Sequence, residues 1–527
     1  MVKKYHIVIL LLIFLFHITN NFIILKQDNT LPFGHEGLYY RHSIELYQQL
    51  FENPRLIFKK ILHINAVYPP LLYLSPLPFY CLFNQNYDTA SFTVSLIYLG
   101  IFLVSLYLVG SKLFNPEVGL LSAIICSFFM GIFGYSRMFL MAFPSVALFV
   151  LNIYFMIKSD SFKKISFSLL YGVILGLGML MKKYHIVSMA GILAAYLFQQ
   201  RNTICADKRR VLINLFLSSG IALIIAAPWY VLNRFAILSQ LRTEKAFFNV
   251  RGISFVFLTY FKHMINYQIG IVFVVIFIVS FVYILIKRKC TLLLLSWLIW
   301  PYFIYSIVVS YKSSRYTMVI LPAMAVVISA GIIDVLGRLK FKKSYIVKSS
   351  VMAGFLIYIL YSFFSVSYAN KGKMFTYSDE VRRHFYTGLL YPQRLNWDNG
   401  KLERLFSKED RQQVLIDCFG CWYLVNDYIF DMIGIKRLPI NFIHLEFDCS
   451  DPDYEKSIKD ADFIIMRSDD GSDFPNVSEE IEGVPIERIN NLISIFKKYS
   501  LKYYLTQKIC VNGPMYPKSL LIYKRVQ

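Results

Sequence analysis

The sequence predicts a polytopic α-helical membrane protein that ends in a small extracytoplasmic α/β domain. Of its 527 residues, 56% are hydrophobic, 17% are aromatic and only 17% are charged. The hydrophobic residues recur in blocks of about 20, the length that crosses the hydrocarbon of a bilayer. From residue 369 onwards the sequence becomes more polar and contains turn signals such as Asn399-Gly400. This composition excludes an ordinary soluble enzyme.

The first apolar block, residues 5–25, follows a short basic start at Lys3 and Lys4. No small-residue cleavage site follows it, so we interpret it as a retained helix rather than a signal peptide. With the later blocks it gives about eleven transmembrane helices in residues 1–368, the transmembrane domain. The later blocks are residues 91–110, 117–134, 139–157, 165–181, 185–200, 211–232, 268–286, 291–309, 316–336 and 345–368.

The long first outer loop, residues 26–90, contains an amphipathic segment directly after the first apolar block. Glu36 lies near the start of this segment, where a helix dipole favours the carboxylate form. The alternative is that Glu36 only caps the helix. The residues that share the apolar face at helical spacing are Tyr40, Ile44, Tyr47 and Phe51.

Basic residues collect in alternate short connectors, which indicates that the N-terminus is cytoplasmic in the cell (plasma or inner) membrane. An odd number of helices then places the C-terminal tail outside the cytoplasm. Topology and contact with anionic lipid explain the formal charge of +22 better than nucleic acid, because the charges lie between apolar blocks. The basic connectors are residues 158–164, 201–210, 287–289 and 338–343.

Residues 369–527 are expected to form the extracytoplasmic α/β domain. Short β-like runs begin at Val414, Phe463 and Leu520 and are bounded by polar stretches. Their cysteine spacing does not repeat as a zinc site requires, so free thiols or one or two disulfides are the favoured interpretation. The cysteines in question are Cys418, Cys421, Cys449 and Cys510.

Some basic residues lie at the predicted outer ends of helices, where the positive-inside rule does not explain them. The simpler interpretation is that each extends along the lipid to the headgroups. Their recurrence at three separate junctions favours an anion site between helix ends. They are Arg137, Lys182, Lys183, Lys312 and Arg315.

An anion site beside a carboxylate suggests a reaction with a phosphate leaving group. The basic residues would stabilise the charge that develops on the departing phosphate. Glu36 would accept a proton from the incoming hydroxyl. His35 is the weaker catalytic candidate, because an interfacial histidine is usually a hydrogen-bonding surface residue.

The order of these motifs resembles the GT-C membrane glycosyltransferases that use polyprenyl-phosphate sugars, which include protein O-mannosyltransferases and the lipid A aminoarabinose transferase. The resemblance covers residues 5–335. The matching motifs are His35-Glu36, Tyr68-Pro69-Pro70-Leu71, Ser136-Arg137, the Gly-rich helix from Gly176 to Lys182-Lys183, Pro228-Trp229-Tyr230, and Lys312-Ser-Ser-Arg315-Tyr316 with Pro322.

This resemblance implies a GT-C-like fold and transfer of a sugar from a polyprenyl-phosphate donor to a hydroxyl of an extracytoplasmic acceptor, with inversion. It implies that Glu36 is the base, that the five outer cations bind the lipid phosphate, and that Tyr316 and Tyr40 support them. Two positions depart from the family pattern: His35 stands where an acid is usual, and Ala142 where a second acid often lies.

No cofactor is predicted with certainty and no compact set of metal ligands is present. A divalent cation held by Glu36 with Asp28 or Glu45 is the open alternative. Two other functions compete with the transferase. A transporter or flippase of lipid-linked sugars would place charges near the bilayer midplane, and an inactive relative would explain the departures at His35 and Ala142.

Overall fold

The computed structural model describes residues 4–28, 35–239, 253–289, 291–309, 313–339, 344–368, 389, 412–416, 440–444, 451–468, 472, 475, 486–510 and 519–526. The chain divides into two compact units. The first unit comprises Met1–Ile24 and His42–Tyr391, and the second comprises Leu25–Arg41 and Pro392–Gln527.

Helices account for nearly all of the described residues up to residue 368. In chain order they are α1 Lys4–Gln27, α2 His35–Glu52, α3 Ile57–His63, α4 Leu71–Leu74, α5 Leu77–Leu82, α6 Tyr87–Leu113, α7 Pro116–Ser127, α8 Met130–Phe133, α9 Ala142–Lys158, α10 Ile165–Met181, α11 His185–Gln199, α12 Arg201–Ala206, α13 Lys208–Leu232, α14 Ile253–His263, α15 Gly270–Ile286, α16 Leu292–Val308, α17 Ser314–Thr317, α18 Leu321–Arg338 and α19 Ser344–Ser367.

Several of these helices are apolar and long enough to cross a bilayer, as the sequence predicts for a multi-pass membrane protein. Within the described residues six helices meet this condition by length and composition, or seven if α7 and the bent segment after it count as one span. Four shorter apolar helices, α9, α10, α11 and α16, coincide with further predicted blocks.

The predicted amphipathic helix of the first loop is confirmed as α2, which begins at His35. In the first unit its inner face packs on the short helices α4 and α5. The hydroxyl of Ser43 donates to the carbonyl oxygen of Tyr73 at 2.7 Å and accepts from the hydroxyl of Tyr80 at 3.0 Å. These bonds tie the start of the loop to its end.

Two predicted blocks differ in shape from single straight helices. Residues 117–134 form α7 and α8, and the chain bends by 69° between them. The bend occurs because Phe129 adopts an extended conformation, and its N–H bonds to the Cys126 carbonyl at 3.1 Å instead of continuing the helix. The predicted block 268–286 begins earlier, because a π-helical turn, Met264–Ile269, joins α14 to α15.

Close packing of α10 against α13 depends on a glycine. A Cβ atom on Gly172 would lie 2.3 Å from the carbonyl oxygen of Ser218. Small residues at such positions let two helix backbones approach closely. Inside a bilayer the hydrophobic effect does not drive helices together, so close packing of this kind contributes to their association. α10 ends at Met181, directly before Lys182.

The second unit contains a five-stranded sheet with strand order β2-β1-β3-β5-β4. The strand β1 pairs in parallel with β2 and with β3, whereas β5 pairs antiparallel with both β3 and β4. The three predicted β-like runs lie in β1, β3 and β5. The elements are β1 Gln412–Ile416, β2 Ile440–His444, α20 Asp451–Asp460, β3 Phe463–Ser468, α21 Ile486–Tyr499, β4 Tyr503–Cys510 and β5 Ser519–Arg525.

The core of this sheet lies between its strands and the helices α20 and α21. Phe496 is fully buried, and the hydroxyl of Tyr503 donates to the carbonyl oxygen of Ala461 at 2.8 Å. Burial raises the pKa of Tyr503 to about 12. The predicted cysteines Cys418, Cys421 and Cys449 lie outside the described residues.

Candidate active site

Three of the predicted site residues lie at the start of α2, in the second unit. Glu36 occupies the first turn of this helix and is half-buried, which confirms its predicted position at a helix N-terminus. The ring of His35 stacks on the ring of Tyr39 with centroids 6.1 Å apart. Tyr40 is 6% exposed. Glu36 is therefore a half-buried carboxylate in the field of a helix dipole.

The first unit brings two of the predicted cations to one aromatic ring. The Nζ atom of Lys182 lies 4.8 Å from the centroid of the Tyr316 ring, and the guanidinium carbon of Arg315 lies 5.7 Å from it. Lys182 also donates to the carbonyl oxygen of Arg315 at 3.4 Å. Residues far apart in sequence thus form one cationic cluster, which we call the Lys182–Tyr316 cluster.

The neighbouring charge changes the acid–base behaviour of this lysine, which lies in the short connector between α10 and α11. Burial and the guanidinium of Arg315 lower the pKa of Lys182 to about 7. Two like charges at one place disfavour each other. A bound anion would lessen this penalty.

Two further tyrosines complete the cluster, and neither was among the predicted site residues. The ring of Tyr184 lies 6.0 Å from that of Tyr316, and the ring of Tyr305 lies 5.8 Å from it. The hydroxyl oxygens of Tyr305 and Ser188 are 2.8 Å apart. The sequence signal for Tyr184 was its position directly after two lysines at a helix junction, where an aromatic ring can hold a cation.

A glycine near the C-terminal end of α10 makes room for a neighbouring side chain. A Cβ atom on Gly178 would lie 2.3 Å from Nε2 of His185, so the imidazole ring packs directly on the helix backbone. The N–H of Lys182 bonds to the Gly178 carbonyl, and the N–H of His185 bonds to the Lys182 carbonyl, both at 2.9 Å. These contacts fix the tight connector that presents Lys182.

The Pro-Trp element links this connector to the first loop. Trp229 is 1% exposed, and its Nε1 donates to the carbonyl oxygen of Asn65 at 3.2 Å. Asn65 in turn accepts from the backbone N–H of Tyr68 at 2.7 Å. On the same helix, the hydroxyl of Tyr230 donates to the carbonyl oxygen of Met179 at 3.1 Å. Two motifs that are distant in sequence therefore meet beside the Lys182 connector.

Arg137 is buried, with 3% of its surface exposed, and binds residues from distant parts of the chain. Its Nε donates to Oδ1 of Asn21 at 2.9 Å, Nη1 to the carbonyl oxygen of Leu389 at 3.1 Å, and Nη2 to Oγ of Ser367 at 3.2 Å. Asn21 belongs to α1 and Ser367 to α19. The guanidinium therefore joins the first described helix to the last helix before the C-terminal domain.

Aromatic rings cover the same guanidinium. Its central carbon lies 4.9 Å from the Phe133 centroid and 5.4 Å from the Phe363 centroid. A buried cation needs such hydrogen bonds and ring contacts, because burial without them is costly. Arg137 thus has a clear structural role, and its predicted role as a phosphate ligand stays a prediction.

Of the two remaining predicted cations, one lies within the described residues. Lys183 is half-buried, with Nζ lying 5.2 Å from the centroid of the adjacent Tyr184 ring. Lys312 lies outside the described residues. Of the predicted anion-binding cations, Arg137, Lys182, Lys183 and Arg315 therefore lie within the described residues.

The described residues contain no group of three His, Cys, Asp or Glu side chains arranged to hold a metal ion. Of the carboxylates considered for a divalent cation, Glu45 lies 3.6 Å from the ammonium of Lys60 and 3.9 Å from the ring of His42. A carboxylate with a cationic neighbour has less attraction for a metal ion.

Comparison with known proteins identifies the architecture. Residues 68–231 match the sequence family of dolichyl-phosphate-mannose-protein mannosyltransferases. The comparison with curated proteins gives no sequence match.

Solved structures resemble almost the whole chain. ArnT from Cupriavidus metallidurans, solved in the apo state and bound to undecaprenyl phosphate, matches with a TM-score of 0.54 at 12% identity over 99% of this chain and 98% of ArnT. The oligosaccharyltransferase AglB from Archaeoglobus fulgidus, in complex with an inhibitory peptide and a dolichol-phosphate, matches with a TM-score of 0.52 at 11% identity, over 88% of this chain and 69% of AglB. The chain therefore has the GT-C fold of membrane glycosyltransferases, and its residues 68–231 match the mannosyltransferase family by sequence.

Proposed function

We propose that this protein is a glycosyltransferase that moves a sugar from a polyprenyl-phosphate carrier to a hydroxyl of an extracytoplasmic acceptor. The observation that carries the proposal is the meeting of Lys182 and Arg315 at the Tyr316 ring, in a chain with the GT-C fold. Undecaprenyl phosphate in ArnT and dolichol-phosphate in AglB support a lipid phosphate as the ligand of such a site.

In this reaction the acceptor oxygen attacks the anomeric carbon of the sugar, and the bond from that carbon to the phosphate oxygen breaks. The electron pair of the broken bond leaves with the lipid phosphate, and the attack inverts the anomeric centre. Lys182, Lys183, Arg315 and the undescribed Lys312 stabilise the charge on the departing phosphate. Arg137 is proposed as a further ligand of the lipid phosphate, and Tyr316 holds the cations in place.

Glu36 accepts the proton of the acceptor hydroxyl as general base. Its place in the first turn of α2 supports this role, because a helix N-terminus stabilises a carboxylate in its ionised form. His35 is the second, weaker catalytic candidate, and Tyr40 supports binding of the lipid phosphate as Tyr316 does. No nucleotide-sugar site is needed, because the donor arrives with its lipid tail in the bilayer.

The proposal also covers the membrane topology of the chain. The six long helices, the bent segment of α7 and α8, and the four shorter apolar helices α9, α10, α11 and α16 support about eleven crossings. With a cytoplasmic N-terminus, residues 369–527 form an extracytoplasmic domain. The donor then reacts at the outer surface of the cell membrane.

A comparison of cells with and without the protein tests this function. Mass spectrometry of their glycolipids and glycans should reveal one defined sugar mass that is lost with the protein and restored by the wild-type gene. A variant with Glu36→Gln should fail to restore it. If the lipid-linked donor instead accumulates unchanged on one side of the membrane, the protein is a flippase and the transferase proposal is wrong.

A further inference from the structure

We propose that Gln268, which the catalytic proposal does not use, is a positioning residue for the turn that carries Arg315 and Tyr316. Gln268 is fully buried in the π-helical turn between α14 and α15. Its consequence for donor binding rests on the proposed function. Its effect on the structure of the turn does not.

The amide of Gln268 closes the helical turn α17 from outside. Its Nε2 donates to the carbonyl oxygen of Ser314 and, at 3.1 Å, to the hydroxyl of Thr317. The Thr317 hydroxyl lies 3.1 Å from the same Ser314 carbonyl and 3.4 Å from Oε1 of Gln268. One side chain therefore binds the first and last residues of the turn, with Arg315 and Tyr316 between them.

The turn α17 is the start of a longer helical segment, because the 3₁₀ turn Met318–Ile320 and α18 follow it directly. A buried polar group costs free energy unless another group pairs with it. Gln268 supplies such a partner to the Ser314 carbonyl and to the Thr317 hydroxyl.

Gln268 is itself held firmly. A Cβ atom on Gly131 of α8 would lie 3.2 Å from the Cβ of Gln268, so the two backbones pack closely. The hydroxyl of Tyr135, near the end of the same bent segment, lies 3.5 Å from Oγ of Ser314. The π-helical turn ends at Gly270, whose φ of 77° is a conformation that favours glycine. Such turns inside helices occur frequently at functional sites.

The consequence is a fixed distance between the two cations of the Lys182–Tyr316 cluster. Lys182 is placed by the α10–α11 connector, whereas Arg315 and Tyr316 are placed by α17. A displacement of about 1 Å at a binding or catalytic group can cost as much as a hundredfold in rate. Loss of the Gln268 amide should therefore weaken donor binding although Gln268 does not touch the donor.

The test uses Gln268→Leu in the full-length protein in lipid nanodiscs. Asn214→Leu is the matched control, because Asn214 is also a buried amide, 3% exposed, that donates to a loop carbonyl, that of Phe162, at 2.7 Å. Binding of undecaprenyl phosphate and hydrogen exchange of residues 313–320 are measured on both variants and on the wild type. Thr317→Val, alone and combined with Gln268→Leu, completes a double-mutant cycle.

We expect Gln268→Leu to weaken undecaprenyl phosphate binding about tenfold or more and to speed exchange in residues 313–320, with neither effect in Asn214→Leu. Thr317→Val should add little to Gln268→Leu, since both remove the same contact. Binding and exchange equal to those of the control would overturn the inference. If the wild type binds no lipid phosphate, the proposed function fails, and the exchange of residues 313–320 alone decides the role of Gln268.

Discussion

The ammonium nitrogen of Lys182 lies 4.8 Å from the centroid of the Tyr316 ring, although 134 positions separate the two residues in sequence. The electron-rich face of a tyrosine attracts a cation and holds it without neutralising it. Arg315 lies against the same ring. The pair therefore brings two positive charges to one aromatic ring, which suits a ligand with negative charge.

Lys182→Met should reduce sugar transfer by about 100-fold to 1,000-fold, the usual cost of removing one group that stabilises a developing oxyanion. Tyr316→Phe keeps the aromatic face and should change transfer much less. Initial rates with a lipid-linked donor in membranes measure both effects. Equal losses in the two variants would show that the tyrosine hydroxyl, rather than the ring face, matters.

Binding of lipid phosphate should weaken as pH rises through the pKa of Lys182, which burial and Arg315 lower to about 7. Above that pH the side chain loses its proton, so Lys182 must take up a proton when the phosphate binds. Lys182→Arg stays charged at every accessible pH. Titrations of undecaprenyl phosphate binding at pH 6 and pH 9 should therefore show a steeper loss for the wild type than for this variant. Parallel pH profiles would contradict the role of Lys182, since the titration of the ligand is common to both proteins.

Glu36→Gln should lower the transfer rate by about 100-fold to 10,000-fold with little change in donor binding, because it removes a general base and keeps the shape of the side chain. His35→Ala should have a smaller effect. Single-turnover rates and donor binding, measured on the same preparations, separate the two steps. Full activity of Glu36→Gln would remove this residue from the mechanism.

Asn21→Leu should lower the free energy of unfolding by about 1.5–3 kcal/mol, because it removes a hydrogen bond to the charged guanidinium of Arg137. Donor binding should stay close to that of the wild type if Arg137 joins helices and does not bind phosphate. Thermal unfolding in nanodiscs and binding of undecaprenyl phosphate check the two parts. Weakened binding in Arg137→Met together with normal binding in Asn21→Leu would instead support Arg137 as a ligand.

Gly172→Ala should destabilise the protein by about 1–3 kcal/mol, since the added methyl group would lie 2.3 Å from the carbonyl oxygen of Ser218. Gly220→Ala on α13 is the matched control, because a Cβ atom there meets nothing within 4 Å. Alanine should slightly favour the helix at that control position. Equal thermal midpoints for the two variants would mean that α10 and α13 separate at little cost.

The sequence alone determined the apolar helices, the start of α2 close to Glu36 and three of the five strands. These features follow from local rules: the length of apolar blocks, the 3.6-residue period of helices and the composition of short β runs. The sequence also identified the cations, because they lie at helix junctions where the topology rule does not explain them.

Only the tertiary structure decided which of these cations act together. It joined Lys182 and Arg315 at one ring, placed Arg137 among Asn21, Ser367 and two phenylalanines, and divided the predicted helix 117–134 into α7 and α8. It also introduced Gln268, whose position depends on a π-helical turn that changes the helical period. The physical reason is that periodicity reports which face of a helix is buried, whereas the partner on that face depends on packing between segments far apart in the chain.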